Sequence, residues 1–439
     1  VTKQALVLCG GLGTRLGGLV TDVPKPMLPL EGRPLLAHSI DCLARAGIDD
    51  VVLAAGYKAD VIRNHFSGWH GDVRVRVFAE SQPLGTAGPA RWLESELADT
   101  FLVLYGDVFI DLDLRGLLEA HARHIPAATL LVRPSDHPWD SDLVQLDAHD
   151  VITGFIPAGA AREFPRNVAN AAIYVIDRRL TDTIPGDRPC DWVRDVFPAA
   201  LAAGMTLRAH WFSGEGFLKD MGTPERLALV GRHLEERRMV ERARAAPAPV
   251  RTVFLDRDGV INEELDLITT PDEFRLLPGA AEAVARLNAA GMTVIVVTNQ
   301  SVVARGLCSP AGLEAIHDRM RERLALAGAR VDAVYFCPHH PETHHRDGGD
   351  PALRVACNCR KPAPGMLLRA AREHDIDLAA AVMVGDRVTD VLAARRAGVR
   401  SILVGSRPLS PTDPRPDARA ASLSEAIDLL LASPPGPAA

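Results

Sequence analysis

Cys337-Pro-His339 and Cys357-Asn-Cys359 set three thiols and one imidazole at two short spacings. Such a set closes a tetrahedral Zn²⁺ shell and leaves no position open for catalysis, so the expected metal is structural and staples a loop with little core of its own. His340, His344 and His345 lie in the same loop as rival ligands, although extra loop histidines are usually just exposed. Four uncoordinated groups are the remaining alternative.

Two further groupings point to phosphate chemistry. Cys9-Gly10-Gly11-Leu12-Gly13-Thr14-Arg15-Leu16 follows a strand-like run. Its glycines let backbone N–H groups approach an anion, and Arg15 is placed to pair with phosphate oxygens. A dinucleotide fingerprint would need glycine where Leu16 stands, and the Gly-Lys-Ser/Thr of a Walker loop is absent. Taken alone, the loop is equally readable as a ligand-free glycine turn. Lys25, however, stands in the proline-stiffened Val23-Pro-Lys-Pro-Met27, a fixed counter-charge. Asp107 ends a buried strand and Asp220 precedes a helix, and two such carboxylates with a triphosphate form a natural octahedral Mg²⁺ shell. In the second half, Asp256-Arg-Asp258 follows the apolar Val253 to Leu255, and alternation along an extended chain points both carboxylates to one side.

The elements that must position these groups are those of two α/β domains. A chain of 439 residues exceeds one ordinary core, and 47% apolar with 24% charged residues is a globular balance. Short β-branched runs, Val51 to Ala55, Phe101 to Leu104 and Ile173 to Ile176, alternate with helix-like stretches, the pattern of a doubly wound sheet. A charged helix from Gly231 to Arg244 then runs into Ala245-Ala-Pro-Ala-Pro-Val250, an extended spacer. Val253 to Leu255, Val294 to Val297, Val382 to Val384 and Ile402 to Val404 form a second series of buried parallel strands. The expected division is 1–240, a linker 241–250, 251–432, and a disordered tail 433–439. A net charge of -7 gives no reason to expect nucleic acid or an anionic membrane as partner. With no leader or long apolar run, the expected location is the cytoplasm, and self-association is left open.

The first half resembles the sugar-1-phosphate nucleotidyltransferases, close to heptose 1-phosphate guanylyltransferases. The resemblance is carried by the glycine loop, Pro24-Lys-Pro26, Glu80-Ser-Gln-Pro-Leu-Gly-Thr-Ala-Gly88, Gly106-Asp107, Asn170-Ala-Ala-Ile-Tyr174, Asp195-Val-Phe-Pro198 and Asp220-Met-Gly-Thr-Pro224. It implies a Rossmann-like fold in which Gly10, Gly11, Gly13, Thr14 and Arg15 hold the nucleotide triphosphate. Lys25 would steady the transferring phosphoryl group, Asp107 and Asp220 would bind Mg²⁺, and Asn170 would meet the sugar. Glu80 and Gly85 fall in the segment that faces the purine, where a carboxylate suits guanine's N–H donors. A solvated strand-end charge is an equal reading of Glu80. Two departures affect the sugar pocket: Phe155-Ile-Pro-Ala-Gly159 replaces the family's Glu-Lys-Pro, leaving Arg162 or Arg166 as substitutes, and Ala172 replaces a glycine.

The second half carries, in order, Asp256-Arg-Asp258, Thr298-Asn-Gln-Ser301, Arg360-Lys361-Pro362 and Gly385-Asp386-Arg-Val-Thr-Asp390, and is identified as a member of the haloacid dehalogenase superfamily. The resemblance implies that Asp256 is a nucleophile, that Asp258 is the general acid and base, and that Mg²⁺ is held by Asp256, the Asp258 carbonyl and Asp386. Thr298 and Lys361 would hold the phosphoryl oxygens. Asp390 is either a supporting residue or the N-terminal charge of a helix. The zinc loop and minimal cap narrow the likeness to the D-glycero-D-manno-heptose 1,7-bisphosphate 7-phosphatases and the histidinol-phosphate phosphatases. Asn299, Gln300, Arg305 and Arg360 would contact the sugar or its distal phosphate, while Val302 replaces a glycine of the heptose group. The two resemblances together imply consecutive steps, and hence a bifunctional maker of a nucleotide heptose from sugar phosphates and NTP. Alternatives are a histidinol-phosphate-type phosphatase fused to a hexose-1-phosphate nucleotidyltransferase, and a front half that binds nucleotide sugar without catalysis.

Overall fold

The computed structural model describes residues 2–10, 23–69, 71–134, 142–157, 167–212, 216–245, 248–341 and 349–432. The chain divides into two compact units, Val1–His233 and Leu234–Ala439. The division falls inside the helix Pro224–Ala245, ahead of the Ala/Pro segment. No helix among the described residues is long and apolar enough to cross a membrane.

In the front unit, Gln4–Cys9 lies between Asp50–Ala55 and Thr100–Tyr105, parallel to both, and Arg74–Ala79 continues the parallel side. The other side is antiparallel: Ala169–Asp177 pairs with Thr100–Tyr105 and then with Ala128–Arg133. The sheet is therefore mixed. Cys9, Ala55 and Tyr105 stand at its parallel C-terminal end, where α/β sites assemble. Alternating side chains feed two cores, one around Val7, Leu53 and Leu104, the other around Leu6, Val52 and Val103. A separate hairpin-like pair, Val108–Leu112 with Gly216–Asp220, runs antiparallel with Asp220 opposite Val108.

The rear unit is a parallel sheet in the order Ala333–Cys337, Thr293–Asn299, Thr252–Leu255, Ala381–Gly385, Arg400–Val404, Ala418–Ala420. Cores lie on both faces, one around Val253 and Val296, the other around Phe254 and Ile295, as the uninterrupted apolar runs require. The strands Thr252–Leu255, Thr293–Asn299 and Ala381–Gly385 end just before Asp256, Gln300 and Asp386. Three motifs far apart in sequence thus share one sheet edge.

Candidate active sites

In the rear site, Asp256 Oδ1 accepts the Arg257 backbone N–H at 2.7 Å and faces the Lys361 ammonium at 2.8 Å. Lys361 also reaches Asp390 Oδ1 at 2.7 Å and donates to the Val297 carbonyl at 2.9 Å. Three protein oxygens therefore lie within 3 Å of the ammonium. The lysine thus lies against the nucleophile candidate and offsets its charge. Asp390 fills both roles open to it, since its other oxygen accepts the Arg387 N–H at 2.9 Å at the start of helix Val388–Ala397.

Asp386 completes the cluster. One carboxylate oxygen each of Asp256, Asp386 and Asp390 lies within 4.8 Å of the others. Burial pushes the Asp386 carboxyl up to about 6, with Asp390 adding to the rise. Burial also raises Asp256, against the pull of Lys361 and with help from Asp390. Asp386 Oδ1 is buried without a hydrogen-bond partner. Three crowded carboxylates with an orphaned oxygen fit a divalent cation beside a single lysine. Gly259 (φ 78°) is required here, because a Cβ would lie 2.7 Å from the Asp386 carboxylate.

Asp258 is held differently. Burial opposes its ionisation, yet the Arg257 guanidinium and the Asn262 and Gln300 amides keep its carboxyl below the usual range. Gln300 donates to Asp258 at 2.7 Å and to Thr298 Oγ1 at 2.9 Å, and accepts from Arg257 at 3.1 Å. Asn299 exchanges two bonds with the Lys361 backbone, both 3.0 Å. The sequence expectation for these two amides is contact with the sugar or its distal phosphate. Their polar atoms instead face inward and brace Asp258 and Lys361. Thr298 is buried beside them.

Arg305 approaches His340 Nε2 at 3.1 Å, and Arg360 donates to the His339 carbonyl at 3.0 Å, so both lie at the cysteine loop. Val302 is buried with Val303 and Leu313. In the loop, ligand atoms of Cys337, His339, Cys357 and Cys359 all lie within 4.8 Å of one another. The sulfurs are 3.3–3.5 Å apart and His339 Nδ1 is 3.3 Å from Cys359. A tetrahedron with Zn–S bonds of about 2.3 Å has edges of roughly 3.8 Å, so the set fits zinc with a slight expansion. His344 and His345 lie outside the described residues.

In the front site, the loop residues Gly11, Gly13, Thr14 and Arg15 lie outside the described residues, as do Arg162 and Arg166. The other residues expected at this site are described. The antiparallel register puts Asp220 beside Val108, and the Met221 N–H donates to the Asp107 carbonyl at 2.9 Å, so one strand pair brings the two aspartates to one end. Lys25 Nζ lies 3.5 Å from Asp107 Oδ2. Asp220 is paired with Arg226, a residue the sequence did not single out although it lies only two positions past the motif. Glu80 packs against Gly10, where a Cβ would sit 3.4 Å from its carboxylate oxygens, and burial raises its carboxyl despite a backbone bond from Leu84. Gly85 (φ 79°) faces the Cys190 backbone, which a Cβ would meet at 2.4 Å. The close approach of that backbone requires glycine here. Thr86 extends the same lock, donating to Asp191 at 2.7 Å and accepting the Trp192 N–H at 3.1 Å.

Asn170 donates to the Tyr174 hydroxyl at 2.7 Å and accepts the Ala172 N–H at 3.0 Å. Ala172 has φ 57°, in the left-handed region, which accounts for the glycine usual there. Phe155 stacks on Phe197 with centroids 5.7 Å apart, so the segment lacking the family's lysine begins as core packing.

Two family models match the chain, one in each half. The nucleotidyl transferase family model matches residues 4–237 and the HAD-hydrolase-like model matches residues 358–426. The D-glycero-beta-D-manno-heptose-1,7-bisphosphate 7-phosphatase of Bordetella bronchiseptica is 46% identical over 156 residues, 35% of this chain and 80% of that protein. The mannose-1-phosphate guanylyltransferase of Mycobacterium tuberculosis is 38% identical over 225 residues, 51% of this chain but only 62% of that protein's length. A crystal structure of the Bordetella bronchiseptica heptose bisphosphate phosphatase with magnesium and phosphate aligns with 42% of this chain and 100% of its own, at 38% identity and a TM-score of 0.36. The chain belongs to the nucleotidyl transferase family through its first unit and, through its second, to the HAD-like hydrolase family that includes the heptose bisphosphate phosphatases.

Proposed function

We propose that the chain is a bifunctional enzyme of nucleotide-heptose formation. Its rear unit removes the 7-phosphate of D-glycero-D-manno-heptose 1,7-bisphosphate. Its front unit transfers a nucleotidyl group, GMP from GTP, to the heptose 1-phosphate so formed. One observation carries this reading: a unit 46% identical to a heptose bisphosphate 7-phosphatase shares a chain with a nucleotidyl transferase unit, and the first reaction's product is the second's substrate class. NTP and sugar phosphates as substrates place the work in the cytoplasm.

In the rear unit, Asp256 attacks phosphorus, the bond to the sugar oxygen breaks, and Asp258 protonates the departing oxygen. Asp258 then takes a proton from the water that opens the aspartyl-phosphate. Asp256, the Asp258 carbonyl and Asp386 would hold Mg²⁺, which when bound neutralises the charge between carboxylate and phosphate. Thr298 offers its hydroxyl to the phosphoryl group, Lys361 fixes and screens Asp256, and Arg305 and Arg360 face the distal phosphate. Cys337, His339, Cys357 and Cys359 hold a structural Zn²⁺. In the front unit, Gly10, Gly11, Gly13, Thr14 and Arg15 cradle the triphosphate, Glu80 reads guanine, and Asn170 meets the sugar. Lys25 stabilises the charge that builds as the sugar phosphate attacks the α-phosphorus and pyrophosphate leaves, and Asp107 and Asp220 would hold Mg²⁺.

The test is a one-pot assay with each anomer of the bisphosphate, Mg²⁺, and GTP or ATP, following phosphate and pyrophosphate separately. Phosphate should appear first and pyrophosphate follow with GTP. Asp107→Ala should abolish only pyrophosphate release, whereas Asp256→Asn should abolish phosphate release and with it pyrophosphate release, the latter returning when heptose 1-phosphate is supplied. A wild-type protein that releases neither sinks the heptose assignment.

A further inference from the structure

A hollow of about 290 Å³ opens on the rear unit, lined by four arginines, Arg244, Arg395, Arg400 and Arg415. It lies at the N-terminal edge of the parallel sheet: Arg400 begins the strand Arg400–Val404, and Arg415 and Asp417 come just before Ala418–Ala420. Asp256 and Asp386 leave the opposite edge, the length of a five-residue strand or about 15 Å away. Arg244 and Arg395 stand in the last turns of Pro224–Ala245 and Val388–Ala397. Those helix ends are pressed together, since a Cβ on Gly398 would lie 2.9 Å from the Val240 carbonyl. Arg244 donates to the Arg395 carbonyl at 3.0 Å and Arg400 to the Ala248 carbonyl at 2.9 Å, while Arg400 Nε is buried without a partner. Asp417, the carboxylate in the lining, is turned to Ser401 and accepts its N–H at 2.8 Å and its hydroxyl at 3.2 Å. Among the described residues no carboxylate forms an ion pair with any of the four arginines.

A guanidinium stays charged at any pH the protein meets. Carbonyls satisfy its N–H groups without cancelling a full charge. The two helix C-termini supply about half a negative charge each and Asp417 one more, which leaves roughly two positive charges uncompensated in the hollow. We propose that this hollow is a second anion site, built for the diphosphate group of a small molecule. Guanidinium forks match phosphoryl oxygens two at a time. The volume stands at the lower end of the range for small-ligand sites, about 300–1,000 Å³, so two linked phosphoryl groups fit and a nucleoside stays outside. Free pyrophosphate and a nucleoside diphosphate sugar both carry that group, and the reaction proposed for the front unit makes both. The site itself depends on neither proposed reaction, because it uses none of their residues.

The experiment is calorimetric titration of the full chain with pyrophosphate, GDP-mannose, inorganic phosphate and sulfate, in wild type, Arg415→Gln and Arg395→Gln. Added Mg²⁺ is omitted, since it complexes the diphosphate. Both arginines are exposed, so either variant keeps the fold and each checks the other. Wild type should bind pyrophosphate more tightly than phosphate or sulfate, at a site whose Kd rises about 10- to 100-fold in each variant, as the loss of charge-assisted hydrogen bonds requires. Phosphate and pyrophosphate release in the one-pot assay should stay unchanged. GDP-mannose bound at that site as tightly as pyrophosphate makes the nucleotide sugar the source of the diphosphate, and binding of pyrophosphate alone makes it the free anion. Sulfate bound as tightly as pyrophosphate, or titrations that neither variant alters, overturn the proposal. A variant that loses an activity together with the binding also overturns it, because the ligand then belongs to an active site.

Discussion

Asn299 and Lys361, 62 positions apart, are joined by two reciprocal hydrogen bonds: the Asn299 amide donates to the Lys361 carbonyl and accepts the Lys361 N–H, each at 3.0 Å. The pair locks the backbone of the lysine whose ammonium sits between Asp256 and Asp390. Replacing Asn299 by alanine leaves two backbone groups short of partners, at a cost of about 1–3 kcal/mol. The expected outcome is a lower rear-unit midpoint in urea and at least a tenfold loss of phosphatase kcat, with pyrophosphate release by the front unit unchanged as the internal control.

The cysteine loop makes a metal prediction. Cys357→Ser removes one of four converging ligands, so zinc measured on purified protein should fall from about one per chain toward zero. A strong chelator should destabilise the rear unit in the same way, because structural metal binding is folding free energy. Calorimetry that shows the rear transition indifferent to both treatments removes zinc from the account.

Ala172 is a site where a substitution should stabilise. An alanine at φ 57° pays the Cβ penalty that glycine escapes, partly offset by glycine's greater freedom when unfolded. Ala172→Gly should gain about 0.5–1 kcal/mol in front-unit stability, read from denaturant midpoints. A loss of stability there would mean that the side chain contributes packing exceeding the strain.

His121 gives a pH dependence. Burial depresses its imidazole from 6.5 to about 4, and its Nδ1 lies 3.0 Å from the Thr129 hydroxyl. Between those pH values the unfolded chain binds a proton that the folded chain refuses, so stability must fall as pH drops from 6.5 through 4, by an amount on the order of 2 kcal/mol. His121→Gln removes this component. Urea midpoints measured from pH 7 to pH 4 should decline less in the variant than in wild type, and parallel curves would contradict the assignment.

Much of the site chemistry is legible in the sequence because it is local. Apolar runs such as Val253 to Leu255 and Val382 to Val384 form parallel strands, and a carboxylate directly after such a run emerges at the sheet's C-terminal edge, as Asp256 and Asp386 do. The short spacings of Cys337, His339, Cys357 and Cys359 likewise bring four ligands together through little more than two turns of chain. Tertiary structure decided the rest. The register of Gly216–Asp220 on Val108–Leu112 makes neighbours of Asp107 and Asp220 and exposes the pairing of Asp220 with Arg226. The direction in which Asn299 and Gln300 face depends on Lys361, Arg257 and Asp258. An amide carries both donor and acceptor, and turns toward whichever buried groups would otherwise go unpaired. Those groups arrive from other strands, so spacing along the chain says nothing about them.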